Sequence, residues 1–347
     1  MAEAEQERYA FLSEESLDML QNKYYAHNYR SPSKDYGGCT LPQSFAEFWP
    51  AIDDFEVYDD DVWITSFPKT GSTWTSEIAW CIANNFDYAG IEEPLPIRVP
   101  YLEYCTVFDF RRHVRSDSPM ANNPICKSIQ LVKEARRPRF IKTHLPWEKL
   151  PRQIRTFQRT PKIIHVARNP KDTCVAYFHH SSIVEGYQGN FETFWQLFTT
   201  NKLNYTPYWT NVMSYWSKRN APNMFYITYE EMKKDLGASL RRFCKFFDKP
   251  VNDNELEQLV RHLNYDTVRK VNERHFESVT SFLKQFGLCQ NDKGHFTRAG
   301  IVGNYRAQMC ADVIDIFDRW IAHHDPNDEF RKDESNRLFF FKKYGAK

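Results

Sequence analysis

The sequence predicts an α/β fold: one domain on a central parallel β-sheet, with helices flanking it and a P-loop-like anion-binding loop. Three observations predict this. Four short runs rich in β-branched and aromatic residues, at 62–67, 138–143, 162–167 and 224–228, have the character of buried strands. Stretches of helical periodicity separate them, the alternation expected of a parallel sheet covered on both faces. The first run passes through a tight polar loop into a helix. In that layout loop N–H groups and the positive helix end converge on an anion.

Taken in order, residues 1–38 are charged, rich in Tyr and end in SPSKDYGG. They are expected to form an N-terminal extension to a domain over 39–347, with a short helix at 13–25 and a linker at 30–38. Phe45, Phe48 and Trp49 share one side of a short helix, a pattern that suits core or pocket wall. The stretch 61–81, DVWITSFPKTGSTWTSEIAWC, holds the first strand and then Lys69, Thr70, Gly71, Ser72, Thr73 and Trp74. Gly71 lets backbone approach an anion, Lys69 adds a charge, and three hydroxyls add donors. The order is not that of a Walker A loop, GxxxxGK[ST], because Lys69 precedes Gly71. Pro94, Pro96 and Pro100 break 84–105 into loop and interrupted helices, and 107–123 is charged with no clear element.

The second strand ends in Lys142-Thr143-His144 and the third in Ala167-Arg168. The run ARNPKD then opens a helix from 171 to about 184, with Pro170 suited to its first turn. Helices are expected at 191–202, 205–218, 236–247, 254–263 and 311–323, while 272–304 is polar and holds no clear element.

Composition excludes several classes. The formal net charge is +1, against the basic face that a general nucleic-acid binder needs. The eight Cys are scattered without a CxxC, so neither a zinc pattern nor a disulfide framework is present. The start, MAEAEQERYAF, is too acidic for a signal peptide, and no apolar run has the length of a membrane span. The expectation is a soluble, cytoplasmic protein of a reducing compartment, with no nucleic-acid or membrane partner. An aromatic content of 16% suits a pocket for flat organic ligands.

Ligands of parallel sheets sit beyond the carboxyl ends of the strands. There the chain delivers Lys69, Lys142, His144 and Arg168. Phosphoryl transfer needs Mg²⁺ held by a carboxylate, and these ends supply none; Asp172 comes later, in the next helix. A cationic rim without a metal ligand suits a sulfuryl group, which carries less negative charge in transfer. His179-His180 and His323-His324 lack a carboxylate or Cys at ligand spacing and are taken as surface pairs rather than metal sites.

With FPKTGSTW, FIKTHLP, ARNPKD, YEEMKKD at 229–235 and RAGIVGNYR at 298–306, the chain resembles the cytosolic sulfotransferases. These move a sulfuryl group from 3′-phosphoadenosine 5′-phosphosulfate (PAPS) to a small acceptor and release PAP. The likeness covers nearly all of 41–306, in the family's order and spacing, with traits of insect-type members in HLNY and ARNPKD. It implies that Lys69, Thr70, Gly71, Ser72 and Thr73 wrap the 5′-phosphosulfate and that Trp74 stacks on adenine. Arg168, Arg298, Ala299 and Gly300 are implied at the 3′-phosphate, Tyr205 at the nucleotide, and Tyr265 and Phe296 at the base. His144 is the implied general base of an in-line transfer without a metal, with Lys142 beside it and Lys69 at the leaving oxygen. Phe45 and Tyr101 are implied walls of the pocket for a small, aromatic or lipophilic hydroxyl acceptor. Structural roles compete at each place: His144 is one of eleven His, and Trp74 and Tyr265 also suit a core.

The chain departs from the family at Ala176, where a Ser helps hold the 3′-phosphate, and at Leu263, Ala299 and Tyr305, which stand for Thr, Lys and Trp. The family's dimer motif is not recognisable in 307–317, leaving the oligomeric state open. Three alternatives stand beside plain sulfonation. One is a retinol-dehydratase-like enzyme that sulfonates an allylic alcohol and then loses sulfate. The others are a P-loop kinase-like phosphotransferase and a non-catalytic PAP or PAPS binder, the last opposed by intact Lys69, Lys142 and His144.

Overall fold

Apolar runs at the expected places become the strands of one sheet. The computed structural model describes residues 12–25, 30–108, 117, 124–273, 284, 300–325 and 327–340. A short hairpin comes first, β1 (Ser33–Asp35) against β2 (Thr40–Pro42). Then follow β3 (Val62–Thr65), β4 (Phe140–Thr143), β5 (Lys162–Ala167) and β6 (Met224–Thr228). They pair in parallel in the order β4-β3-β5-β6. The architecture is the α/β fold expected.

Both faces of the sheet are covered, which is why its strands appear as unbroken apolar runs. Trp63, Ile141 and Ile163 enter one core with Phe67, Tyr177, Trp195 and Phe198. Val62, Ile64, Ile164 and Val166 enter another with Ile78, Ile82, Leu240 and Phe243. The register sets Thr65 of β3 level with Thr143 of β4 and His165 of β5. Strands β3 and β4 therefore end level, β5 runs two residues farther, and the residues just beyond them line one cavity.

The helices that matter are α1 (Glu14–Lys23), α2 (Phe45–Asp53), α3 (Ser72–Ala83), α4 (Pro170–His180), α5 (Phe191–Thr199), α6 (Tyr208–Trp216), α7 (Tyr229–Lys234), α8 (Leu236–Phe246), α9 (Asp253–Leu263) and α10 (Ala311–His324). Local chemistry starts several of them. Asn169 caps α4, its side chain accepting from the Lys171 N–H, and Pro170 fills the first turn. Thr228 and Glu231 form a capping box at α7, as Asn252 and Glu255 do at α9.

Two element readings are corrected. The expected linker at 30–38 contains β1, and the hairpin spans both sides of the expected boundary at 38/39. Arg30 bridges to Phe108 and Tyr25 to Tyr187, so this segment is part of the fold's packing. The helix expected from 205 begins at Tyr208, after Pro207, because Tyr205 holds a left-handed φ of 69°.

Candidate active site

The loop after β3 is shaped by Lys69 and Gly71. Lys69 holds a φ of 69°, uncommon for a residue with a side chain, and Gly71 a φ of 112°. A Cβ at Gly71 would stand 2.8 Å from Tyr229 Cδ2, so the position needs glycine for space as well as conformation. Ser72 and Thr73 open α3 and line a cavity of about 270 Å³. Thr70 does not: its hydroxyl is directed at the Phe67 and Val166 carbonyls, at 2.8 and 2.9 Å. The expected three hydroxyl donors are thus two, with Thr70 tying the loop to β5.

The second strand brings Lys142 and His144 onto the same cavity. The Ser66 carbonyl lies 2.8 Å from His144 Nδ1. A carbonyl only accepts, so Nδ1 carries the proton and Nε2 keeps its lone pair. Burial, then the Lys142 charge, pushes this imidazole well below its usual range, so it is neutral at pH 7. Its backbone is fixed at both ends: the N–H donates to Glu103 Oε1 at 2.7 Å, and the carbonyl accepts from Asn211 Nδ2 at 2.9 Å. Desolvation brings Lys69 down to about 7, helped by the charges of Lys142 and Arg168. Desolvation also brings Lys142 down to about 8, against the pull of Glu103.

Arg168, at the end of β5, completes the rim. Its Nη1 donates to the Lys69 carbonyl at 3.2 Å, and its guanidinium lies 4.5 Å over the Tyr229 ring. Its Nε is buried with no hydrogen-bond partner among the described residues. Trp74 and Tyr265 meet edge to face at 5.4 Å, and the Trp74 indole donates to the Leu263 carbonyl at 2.7 Å. Tyr229 donates to the Gly300 carbonyl at 2.9 Å, and a Cβ at Gly300 would meet that hydroxyl at 2.7 Å. Asp172 accepts from the Gly303 and Tyr305 amides at 2.6 and 2.9 Å and so fastens the late loop to α4. Phe296, Arg298 and Ala299 lie outside the described residues.

One expected residue falls elsewhere. Phe45 is 2% exposed, packed against Tyr36 and Trp49, and does not line the cavity. Tyr205 lines it beside His144, with its hydroxyl 2.5 Å from that of Tyr101. Two tyrosines stand at Arg168: Tyr208, whose hydroxyl donates to its carbonyl at 2.6 Å, and Tyr229. Tyr229 lies within the YEEMKKD run, so the motif was visible and the residue was not singled out. Glu103 gave no periodic or motif signal, whereas Asp172 closes the ARNPKD run. His179 and His180 are not a surface pair: both line the cavity, and His180 approaches Glu185. Among the described residues no group of three His, Cys, Asp or Glu could hold a metal ion, and no helix is long and apolar enough to cross a membrane.

The family model of the sulfotransferase domain matches residues 59–332. The chain belongs to the sulfotransferase family. Luciferin sulfotransferase of Photinus pyralis is 37% identical over 284 residues, covering 81% of this chain and 76% of that protein. Sulfotransferase 1 family member D1 of Mus musculus is 28% identical over 293 residues, covering 84% of this chain and 92% of that one. In fold this sulfotransferase is similar to retinol dehydratase solved with androsterone and the inactive cofactor PAP. The TM-score is 0.79 at 25% identity, over 93% of this chain and 97% of that one. The cavity of this sulfotransferase thus gathers Lys69, Lys142 and Arg168 beside the neutral imidazole of His144.

Proposed function

We propose that this enzyme transfers the sulfuryl group of PAPS to the hydroxyl of a small aromatic or lipophilic acceptor, in the cytoplasm and without a metal. One observation carries the reading. A neutral His144 with its Nε2 lone pair available shares a cavity with Lys69, Lys142 and Arg168, delivered by three adjacent strand ends. The residues fit the donor. Arg168 has a buried Nε without a partner among the described residues, and it lines one cavity with Lys69 and Lys142. Lys69, the loop amides, Ser72 and Thr73 would hold the 5′ end. Arg168, with Arg298 and Gly300, would hold the 3′-phosphate, and Trp74, Tyr229 and Tyr265 the base. When bound, PAPS supplies an activated sulfuryl group on a phosphate leaving group.

The chain's own residues supply the rest. His144 Nε2 takes the acceptor's hydroxyl proton, and its low basicity keeps it ready for that task at neutral pH. Lys142 and Lys69, both partly buried, offset charge that develops on the transferring oxygens. Tyr101 and Tyr205 flank the imidazole at 5.0 and 5.6 Å and fix the side from which an acceptor approaches.

The test is sulfation of a panel of phenols, catecholamines, steroids and retinoids with labelled PAPS, with and without a Mg²⁺ chelator. His144→Ala should lower kcat by roughly 10²–10⁴ while PAP binding changes little. Near-normal turnover would remove His144 from the reaction, and dependence on Mg²⁺ would favour a kinase-like reaction. The likeness to retinol dehydratase favours a second reading, loss of sulfate from an allylic ester after transfer. Retinol in the panel separates the two by its product, a stable sulfate ester or a dehydrated hydrocarbon.

A further inference from the structure

The transfer step leaves one polar wall of the cavity without a task. Helix α4 ends at His180 and continues into a single π-turn, Ser181–Glu185. Such a turn inserts a residue into the helical register and is frequent at functional sites. Here both His180 and Glu185 reach the cavity. Arg30 backs the Glu185 carboxylate, Nε to Oε2 at 3.5 Å, with both side chains almost wholly buried. Arg30 is itself held by Ser33, Nη2 to Oγ at 3.2 Å, and its guanidinium lies 3.4 Å over the Tyr25 ring.

The other carboxylate oxygen, Oε1, stands 4.0 Å from His180 Nε2. That is too long for a hydrogen bond. Burial, then the charges of Lys69 and Lys142, pushes His180 well below the usual imidazole range, so the ring is neutral. A carboxylate on the Nε2 side favours the tautomer with the proton on Nε2. Around the pair the wall is apolar and aromatic, with Tyr104, Val107, Phe108 and Val184.

We propose that His180 and Glu185 form a second polar subsite of the acceptor cavity, which takes a hydroxyl remote from the one being sulfonated. A hydroxyl can bridge the two groups, donating to Glu185 Oε1 and accepting from the His180 Nε2–H. An ammonium has no lone pair for His180, a carboxylate has no proton for Glu185, and a hydrocarbon offers neither. The implied acceptors are lipophilic diols and bisphenols. This inference rests on the sulfuryl-transfer reading above.

The test compares 4-(ω-hydroxyalkyl)phenols with 4-alkylphenols of equal length, using PAPS as donor and measuring the phenol sulfate. At the length that spans the cavity, the second hydroxyl should raise kcat/KM by roughly 10- to 100-fold, mainly through KM. The ratio within that pair should fall to about one in both Glu185→Gln and His180→Phe. His180→Phe leaves the Arg30–Glu185 ion pair in place. It carries the test should Glu185→Gln fail to give a folded chain by circular dichroism. A wild-type ratio near one at every length overturns the subsite, and so does a ratio that survives His180→Phe. Absence of sulfate transfer to every phenol and alcohol would overturn the transfer reading itself, and the subsite with it.

Discussion

Exchanging Glu103 for Gln keeps an acceptor oxygen beside the His144 amide and removes only a charge. Glu103 is wholly buried and takes the His144 N–H at 2.7 Å. Burial lifts its carboxyl to about 7, so its charge is present mainly above neutrality. The cation it supports is Lys142, which desolvation has brought down to about 8. A nearby anion favours an ammonium, so removing that anion lowers the Lys142 pKa further. In Glu103→Gln the alkaline limb of kcat/KM should therefore move to lower pH, by about half to one pH unit, where one unit corresponds to about 1.4 kcal/mol. The tether on His144 weakens from a bond to a charged acceptor to a neutral one, a difference of about 1 kcal/mol. The assay is a pH–rate profile with saturating PAPS and a phenol, with PAP affinity as the control for folding. A purely structural Glu103 would lower kcat at every pH and leave the limb where it was. That outcome would refute the electrostatic link between Glu103 and Lys142.

Arg168→Ala should weaken PAP binding roughly tenfold to a hundredfold, from one or two charge-assisted contacts. A nucleotide lacking the 3′-phosphate should be little affected; equal weakening of both by calorimetry would mean that Arg168 acts only through the Lys69 carbonyl. Ala176→Ser should tighten PAP binding and slow acceptor-free breakdown of PAPS, because a hydroxyl there can restrain Lys69. No change in either quantity would refute that reasoning.

The parts of the fold legible in the sequence are those whose burial leaves a pattern. Strands β3 and β5 are covered on both faces and so carry unbroken apolar runs. Gly71 was legible because the loop's φ of 112° has few other occupants. The β1–β2 hairpin was not, since three-residue strands of mixed polarity carry no period. Spacing along a helix shows which residues share a face, but not whether that face meets core or cavity, so Phe45 was placed wrongly. Tyr205 lies on the cavity, yet which part of it depends on how the segment before α6 folds back. The π-turn hid Glu185, because an inserted residue breaks the 3.6-residue pattern that sequence reasoning follows. Glu103 sits between Pro-broken helices, where no periodic argument applies.

The electrostatics of the rim explain why donor and acceptor ends can share one cavity. Lys69, Lys142 and Arg168 lie on it together, and their mutual repulsion adds to the desolvation that lowers the Lys69 pKa. Glu103 partly offsets the desolvation of Lys142. Asp172 is committed to the Gly303 and Tyr305 amides, and Glu103 to the His144 amide. Helix α4 adds no hydroxyl that could shield Lys69. Thr173 donates to the Asn169 carbonyl at 2.9 Å, and Ser181 is buried away from the cavity, leaving Ala176 on that face. One turn beyond Ala176 stands His180, neutral and facing the same cations. A polyanion bound here raises Lys69 from about 7 and Lys142 from about 8 toward ordinary lysine values. The donor's own charge thus secures the ammonium groups that its transfer needs. Burial, then the Lys142 charge, keeps His144 neutral, and a bound polyanion that screens the cations makes it more basic, as its proposed role as proton acceptor requires.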